Sequence, residues 1–167
     1  ATPKSSIQEP TITYLKAGLW VNYYYAHAYF PIKIGTISED WESGDFNNMA
    51  WQNTSSVPWT ITTVSPYDGI YCAKSGTIGN SGTTTLRITD TATVSDTISF
   101  FYKVSSESND VLVFKIDGQT KDQWGGIFGW RRAAYPVNAG VHTYTWTYSK
   151  NFWGTSGKDC AYIDAIS

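Results

Sequence analysis

Between Ile98 and Asp164 the chain alternates short β-branched and aromatic runs with polar residues, and Gly, Asn, Asp and Ser clusters break the runs apart. Successive side chains of a strand point to opposite faces, so a run such as Val111-Leu112-Val113-Phe114-Lys115-Ile116 offers one face to a core and one to solvent. Asp117-Gly118 follows it directly, a dipeptide suited to the positive φ angles of a tight hairpin. Repetition of this pattern every eight to twelve residues or so predicts an all-β, antiparallel β-sandwich of jelly-roll type. Function in such a fold belongs to strand faces and connecting loops.

Strands are expected over 37–41, 59–62, 70–74, 83–89, 97–105, 110–116, 120–124, 133–137, 141–148 and 161–166, with a glycine-rich loop at 125–129. Three stretches follow along the chain. Residues 1–10, bounded by Pro3 and Pro10, read as a linker or frayed N-terminus. Residues 11–35 form an aromatic-rich extension of two strands, or a strand and a loop, turning at Lys16-Ala17-Gly18 and packing on the sandwich. Residues 36–167 are the sandwich module itself. The full 167 residues suffice for one domain with a two-layer core.

Charged residues make up 16% of the chain and the net charge is −2. No basic run is present to attract a polyanion, which argues against nucleic acid as a partner. No apolar stretch reaches the roughly 18–20 residues of a membrane-spanning helix. The polar start Ala1-Thr2-Pro3-Lys4-Ser5-Ser6 lacks a signal-peptide pattern, leaving a cytosolic protein or a mature or excised fragment. Low charge, abundant Ser, Thr, Asn and Tyr, and a single Met favour a secreted or cell-surface bacterial domain. A Cys72–Cys160 disulfide fits that setting and would restrict the unfolded chain by roughly 4–5 kcal/mol. Two small buried thiols are the other reading.

The succession Ile37-Ser38-Glu39-Asp40-Trp41-Glu42-Ser43-Gly44-Asp45-Phe46, Pro58-Trp59-Thr60-Ile61, Ala73-Lys74-Ser75-Gly76-Thr77-Ile78, Phe101-Tyr102-Lys103-Val104-Ser105-Ser106-Glu107 and Asp159-Cys160-Ala161-Tyr162-Ile163-Asp164 resembles bacterial secreted jelly-roll modules. These are related to the cleaved-adhesin domains of gingipains and haemagglutinins and, more loosely, to MAM-like domains. The resemblance covers residues 36–167. It implies a non-catalytic adhesive or carbohydrate-binding accessory, monomeric in isolation and tethered to other domains of a larger secreted protein. It also implies a structural calcium ion. The aromatic segment before Thr36 and the bulky Phe152-Trp153 pair depart from the pattern.

Catalysis finds little support in the residues. His142 reads as a strand residue, exposed or hydrogen bonded, His27 has no evident partner, no nucleophile-elbow pattern occurs, and the two His and two Cys lack zinc-site spacing. Most of the 14 acidic residues fall in turns, where Asp satisfies local backbone donors. A small polysaccharide-acting enzyme remains the outlying alternative, and a protein–protein adhesion or spacer domain without a sugar site the nearer one.

Glu39, Asp40, Glu42 and Asp45 place four acids within seven positions, and a jelly roll brings its first and last strands together near Asp164. Hard cations take several oxygen ligands from converging loops. The resemblance implies calcium here, with Glu42 and Asp164 as ligands and Glu39 and Asp45 as additions; a solvated acidic turn is the alternative.

Sugar rings stack on flat aromatic faces, with polar groups fixing their orientation. Trp41, Trp59, Phe100, Tyr102, Phe114 and Trp146 occupy core positions of strands. The candidates for a polysaccharide or cell-surface glycan site are the others. Phe152 and Trp153 lie in a loop, and Tyr24 lies in the tyrosine-rich segment. Trp124 and Trp130 flank glycines, with Arg131 and Arg132 placed to fork onto a carboxylate or sulfate, or to snorkel over rings packed beneath a hairpin.

Overall fold

The computed structural model describes residues 13–21, 24–32 and 37–167, the first two at the level of backbone pairing. The chain divides into two compact units, residues 1–35 and 36–167. In the first, β1 (Thr13–Val21) and β2 (Tyr24–Ile32) form an antiparallel pair running from Thr13 opposite Ile32 to Val21 opposite Tyr24. The turn expected at Lys16-Ala17-Gly18 is therefore corrected: those residues lie inside β1, opposite Tyr29, Ala28 and His27. The linker expected over residues 1–10 lies outside the described residues.

The second unit contributes β3 (Thr60–Thr62), β4 (Cys72–Lys74), β5 (Thr83–Ala92), β6 (Asp96–Ser105), β7 (Val111–Ile116), β8 (Gln119–Gly125), β9 (Ile127–Val137), β10 (Gly140–Ser149) and β11 (Cys160–Asp164). They make two antiparallel sheets, one ordered β5-β10-β7-β8 and the other β3-β4-β11-β6-β9. The all-β sandwich expected from the alternating pattern is thus the observed architecture.

Period-two patterning explains which residues the sheets share. In β10, Tyr144, Trp146 and Tyr148 are buried, while Thr143 and Thr147 turn the other way. There their hydroxyls pair with Thr89 and Thr85 of β5 at 2.9 and 3.0 Å. In β11 both faces are covered. Ala161 and Ile163 enter the central core, whereas Cys160 and Tyr162 form a second cluster with Cys72 against Trp130. The six rings expected in the core, from Trp41 to Trp146, are all buried. Phe100 meets Phe114 at 4.7 Å and Trp146 at 5.3 Å, both edge-on, the arrangement that aromatic quadrupoles favour.

Two boundaries differ from expectation. Residues 37–41 do not extend a strand. Only Glu39 bridges, to Ile166, and at Trp41 the backbone turns through φ 63°. The buried Glu39 carboxylate accepts the Trp41 N–H at 3.0 Å and closes that turn, a local bond that competes with a sheet ladder. The loop expected at 125–129 is instead one sharp reversal at Gly126, φ 103°, between β8 and a β9 that begins at Ile127.

Trp146 touches Trp51, Phe100 and Phe114 and is fully buried. Trp146→Ala is expected to lower unfolding stability by about 3–5 kcal/mol in urea titration, the range for removing a large core ring; a loss below ~1 kcal/mol contradicts this packing.

Candidate functional site

Strand β10 ends at Ser149, and the chain crosses to β11 through residues 150–159. That connection carries the pair expected to be exposed. Phe152 is 65% and Trp153 74% accessible, the latter the largest exposure among large apolar residues described. Their rings stand 4.9 Å apart at 87°.

Asn151 holds this loop. Its Nδ2 donates to Glu107 Oε1 at 2.6 Å, and its Oδ1 accepts the Trp153 N–H at 2.7 Å. Its own N–H donates to Asp110 Oδ1 at 2.8 Å, and its carbonyl accepts the Ser81 N–H at 2.7 Å. Asn80 Nδ2 donates to the Phe152 carbonyl at 3.1 Å. Gly154 turns at φ 75°, a left-handed conformation that favours glycine, and an added Cβ would also press on the Glu107 carboxylate. Every anchor is backbone or short polar side chain, which leaves the two rings free of the body. Exposed Asn80, Thr155 and Ser156 supply polar groups on the loops that carry or touch them.

Beneath the loop lies a charged group that sequence reasoning missed. Lys150 is 4% and Asp110 0% accessible. Lys150 Nζ contacts Asp159 Oδ2 and lies 3.6 Å from Asp110 Oδ2. Burial pulls the ammonium's pKa down, the two carboxylates push it up, and the net shift is upward. Tyr148 donates its hydroxyl to Asp159 Oδ1 at 3.3 Å, and burial pushes that phenol above its usual range. Residues from three separate segments meet here, so no spacing in the chain announced it.

The stretch 124–132 does not form the single surface envisaged. Trp124 is half-buried and stacks on Tyr102 at 3.9 Å at the margin of the core. Trp130 lies on the opposite side of the five-stranded sheet, packed by Tyr162, with its indole N–H donated to the Ser65 carbonyl at 3.1 Å. Arg131 pairs in register with the inward-facing Tyr102 and covers the Phe128 ring at 4.2 Å. Arg132 pairs with Phe101 and lines a shallow 360 Å³ depression with Ser38, Asp40 and Ser99. Adjacent strand residues face opposite ways, so the two guanidinium groups are not placed to fork onto one anion. Tyr24 opens β2 opposite Val21, and its side chain lies outside the described residues.

The four acids proposed for calcium separate into two kinds. Glu39 is buried and spent on Trp41 N–H and the Trp51 indole, both at 3.0 Å. Asp45 is exposed and closes an Asx turn on Asn47 at 2.9 Å, which holds its carboxyl below the usual range. Glu42 and Asp164 share one loop instead. Asp164 Oδ2 accepts from Tyr67 and Asp68 N–H at 2.8 and 3.3 Å, and Glu42 Oε1 accepts from Ile70 and Tyr71 at 2.8 and 2.9 Å. Burial, with Glu42 nearby, raises the Asp164 pKa against these donors. Glu42 Oε2 has no hydrogen-bond partner among the described residues. Among those residues no three His, Cys, Asp or Glu side chains converge as a metal-holding group; Glu39 and Asp45 do not join Glu42 and Asp164.

The expected disulfide is not formed: Cys72 and Cys160 are both buried free thiols. Strand register gives the reason. Lys74 pairs with Tyr162 and Ala73 with Ile163, a run that sets Cys72 beside Asp164, four positions along β11 from Cys160. That offset is about 13 Å along the strand, too far for a bridge. Burial raises the Cys72 pKa to about 12, so the reactive thiolate is scarce at neutral pH.

His142 is a clasp for the β7–β8 hairpin, with Nδ1 2.7 Å from Asp117 Oδ2 and Nε2 2.9 Å from the Asn138 carbonyl. Asp117 and Gly118 adopt the positive φ angles expected, 53° and 78°. No nucleophile lies in that group. The side chain of His27 lies outside the described residues.

No protein-family model and no curated protein matches the sequence. Solved structures do match in fold. The chain is similar to part of the secreted serine protease VesC from Vibrio cholerae, at 16% identity and TM-score 0.54 over 86% of this chain and 30% of that one. It is also similar to the CBM22-1 xylan-binding domain of Xyn10C from Paenibacillus barcinonensis, at 12% identity and TM-score 0.52 over 81% and 94%. The K3 cleaved adhesin domain of Lys-gingipain from Porphyromonas gingivalis W83 matches at 11% identity and TM-score 0.56 over 79% and 95%. The chain thus spans under a third of VesC and nearly the whole of the two modules. At these identities the likeness establishes the shared jelly-roll sandwich that the sequence motifs suggested.

Free buried thiols have a direct consequence. A thiol-reactive dye should label neither cysteine in the native protein and both after denaturation without reductant; a chain that labels only after reduction contradicts the strand register.

Proposed function

We propose that this chain is a non-catalytic carbohydrate-binding or adhesion module of a larger secreted bacterial protein, docking polysaccharide on Trp153. The exposed indole carries the reading. A large apolar ring costs free energy when left in water, and here Asn151 holds the backbone of that residue in place while Trp153 stays 74% accessible. A fixed, solvent-facing ring surrounded by amide and hydroxyl groups suits a pyranose, whose apolar face stacks and whose hydroxyls take the polar contacts. The fold likeness to a xylan-binding domain and to an adhesin domain supports the same reading. Phe152, perpendicular to Trp153, closes one side of the platform. One such contact is weak, and avidity from tethering to neighbouring domains would supply the rest.

Calcium belongs to this proposal as a structural ion. Glu42 Oε2 and the remaining lone pair of Asp164 Oδ1 provide hard oxygen donors, on two carboxylates that the 67–71 loop already holds by its N–H groups. The ion would neutralise two carboxylates that raise one another's cost and pin the loop to the end of β11. It sits at the opposite end of the strands from Trp153 and has no part in sugar contact.

Binding to soluble xylan, β-1,4-galactan and polygalacturonate, followed by affinity electrophoresis, tests the platform. Trp153→Ala should weaken binding to whichever polymer is retained by about tenfold or more without shifting the melting temperature. Retention unchanged in the variant moves the site elsewhere, and no retention of any polymer by the parent favours the protein-adhesion or spacer alternative. Separately, saturating chelator should lower the melting temperature and added calcium restore it; an unchanged melting curve removes the ion.

A further inference from the structure

The buried group under the loop has a chemistry of its own, independent of any sugar. Lys150 directly follows β10 of the four-stranded sheet, and Asp159 precedes β11 of the five-stranded sheet. The lysine side chain is 1% accessible, that of Asp110 0% and that of Asp159 19%. Tyr148 holds Asp159 Oδ1, which leaves Oδ2 against Lys150 Nζ. The Asn151 N–H holds Asp110 Oδ1, while Asp110 Oδ2 has no hydrogen-bond partner among the described residues and lies 3.6 Å from the same Nζ. An amine, a carboxyl in contact with it and a second acid 3.6 Å from the amine are thus held together, the amine and the second acid buried and the contacting carboxyl mostly so.

We propose that Lys150 and Asp159 condense into an amide between Nζ and Cγ, with Asp110 relaying the proton. The resting state is the ion pair. The ammonium yields one proton to the Asp159 carboxylate, which gives the neutral amine and the carboxylic acid, and the amine then attacks Cγ. The C–N bond forms, the nitrogen passes its surplus proton to the Asp110 carboxylate, and Asp110 delivers that proton to a Cγ hydroxyl as the Cγ–O bond breaks to release one water. Ammonium and carboxylate become amide and water, with no oxidant or co-reactant. In bulk water the charged forms prevail and the pair does not react. Burial works against the charged forms while the two carboxylates favour the ammonium, so the drive comes from fixed contact, which replaces a bimolecular encounter with a large effective concentration, on the order of 10⁵ M or more.

The product would staple the two sheets across the base of the loop that bears Trp153. No disulfide does so, since the two cysteines lie too far apart in register. A covalent closure there suits a module that holds a surface under load.

High-resolution intact mass of the reduced, folded chain tests the bond. The expected mass is lower than that of the sequence by one water, with a branched proteolytic peptide joining the segments that contain Lys150 and Asp159. Lys150→Arg and Asp159→Ala should each show the full mass calculated for their sequence. A water loss that survives Lys150→Arg identifies a succinimide instead and overturns the bond. Asp110→Asn should recover full mass in a chain whose circular dichroism stays native; a persistent loss there overturns the relay. Full sequence mass in aged wild-type protein overturns the proposal outright, whether or not any variant folds.

Discussion

Everything in the sandwich depends on aromatic rings packing between two sheets. Phe100 of β6 meets Phe114 of β7 and Trp146 of β10, so the three rings tie strands of both sheets at one point. Tyr135 and Trp124 extend the contact toward the edge strands. A chain with 16% charged residues and 16% aromatics has few other means of cohesion. Burying such rings gains both transfer free energy and edge-to-face attraction. Strand register then follows, because a slip by one residue would turn each ring to solvent.

That same packing determines what is left outside. Once Trp41, Trp59 and Trp146 are enclosed and Trp124 and Trp130 are laid against other rings, Trp153 remains as the indole presented to water among the described residues. It is presented by polar anchors rather than by apolar packing. Asn151 joins the segments around Glu107, Asp110 and Ser81, so the loop is held by three neighbours while its tip stays bare. The buried Lys150 group lies directly below and gives the tip a stiff base. Binding surface, anchor and two members of the base lie between 150 and 159, and Asp110 joins the base from another segment.

Fold and core were legible because strands repeat every two residues, and rings at those positions have one place to go. Trp41, Trp59, Phe100, Tyr102, Phe114 and Trp146 could be assigned inward on that ground alone. Phe152-Trp153 could be picked out because a bulky pair before Gly154 in a polar loop has no core position available. Long-range geometry was not legible. The Cys72–Cys160 pairing failed on register between β4 and β11, which no local pattern encodes. Trp124 through Arg132 read as one cluster in sequence, but the strand alternation and the reversal at Gly126 distribute it over different faces. Glu39 and Asp45 sit beside Glu42 in the chain, yet short-range bonds to Trp41, Trp51 and Asn47 occupy them. The Lys150, Asp110 and Asp159 group is gathered from three segments and shows only in the folded chain.

The central claim is that one exposed ring receives ligand while the enclosed rings serve the fold. Indole N–H resonances followed by NMR during titration with xylan oligosaccharides, or with whichever polymer is retained, separate the two roles in a single spectrum. The account predicts progressive movement of the Trp153 signal and unmoved signals from Trp41, Trp59 and Trp146. A stationary Trp153 signal, with binding reported by another indole, would contradict it.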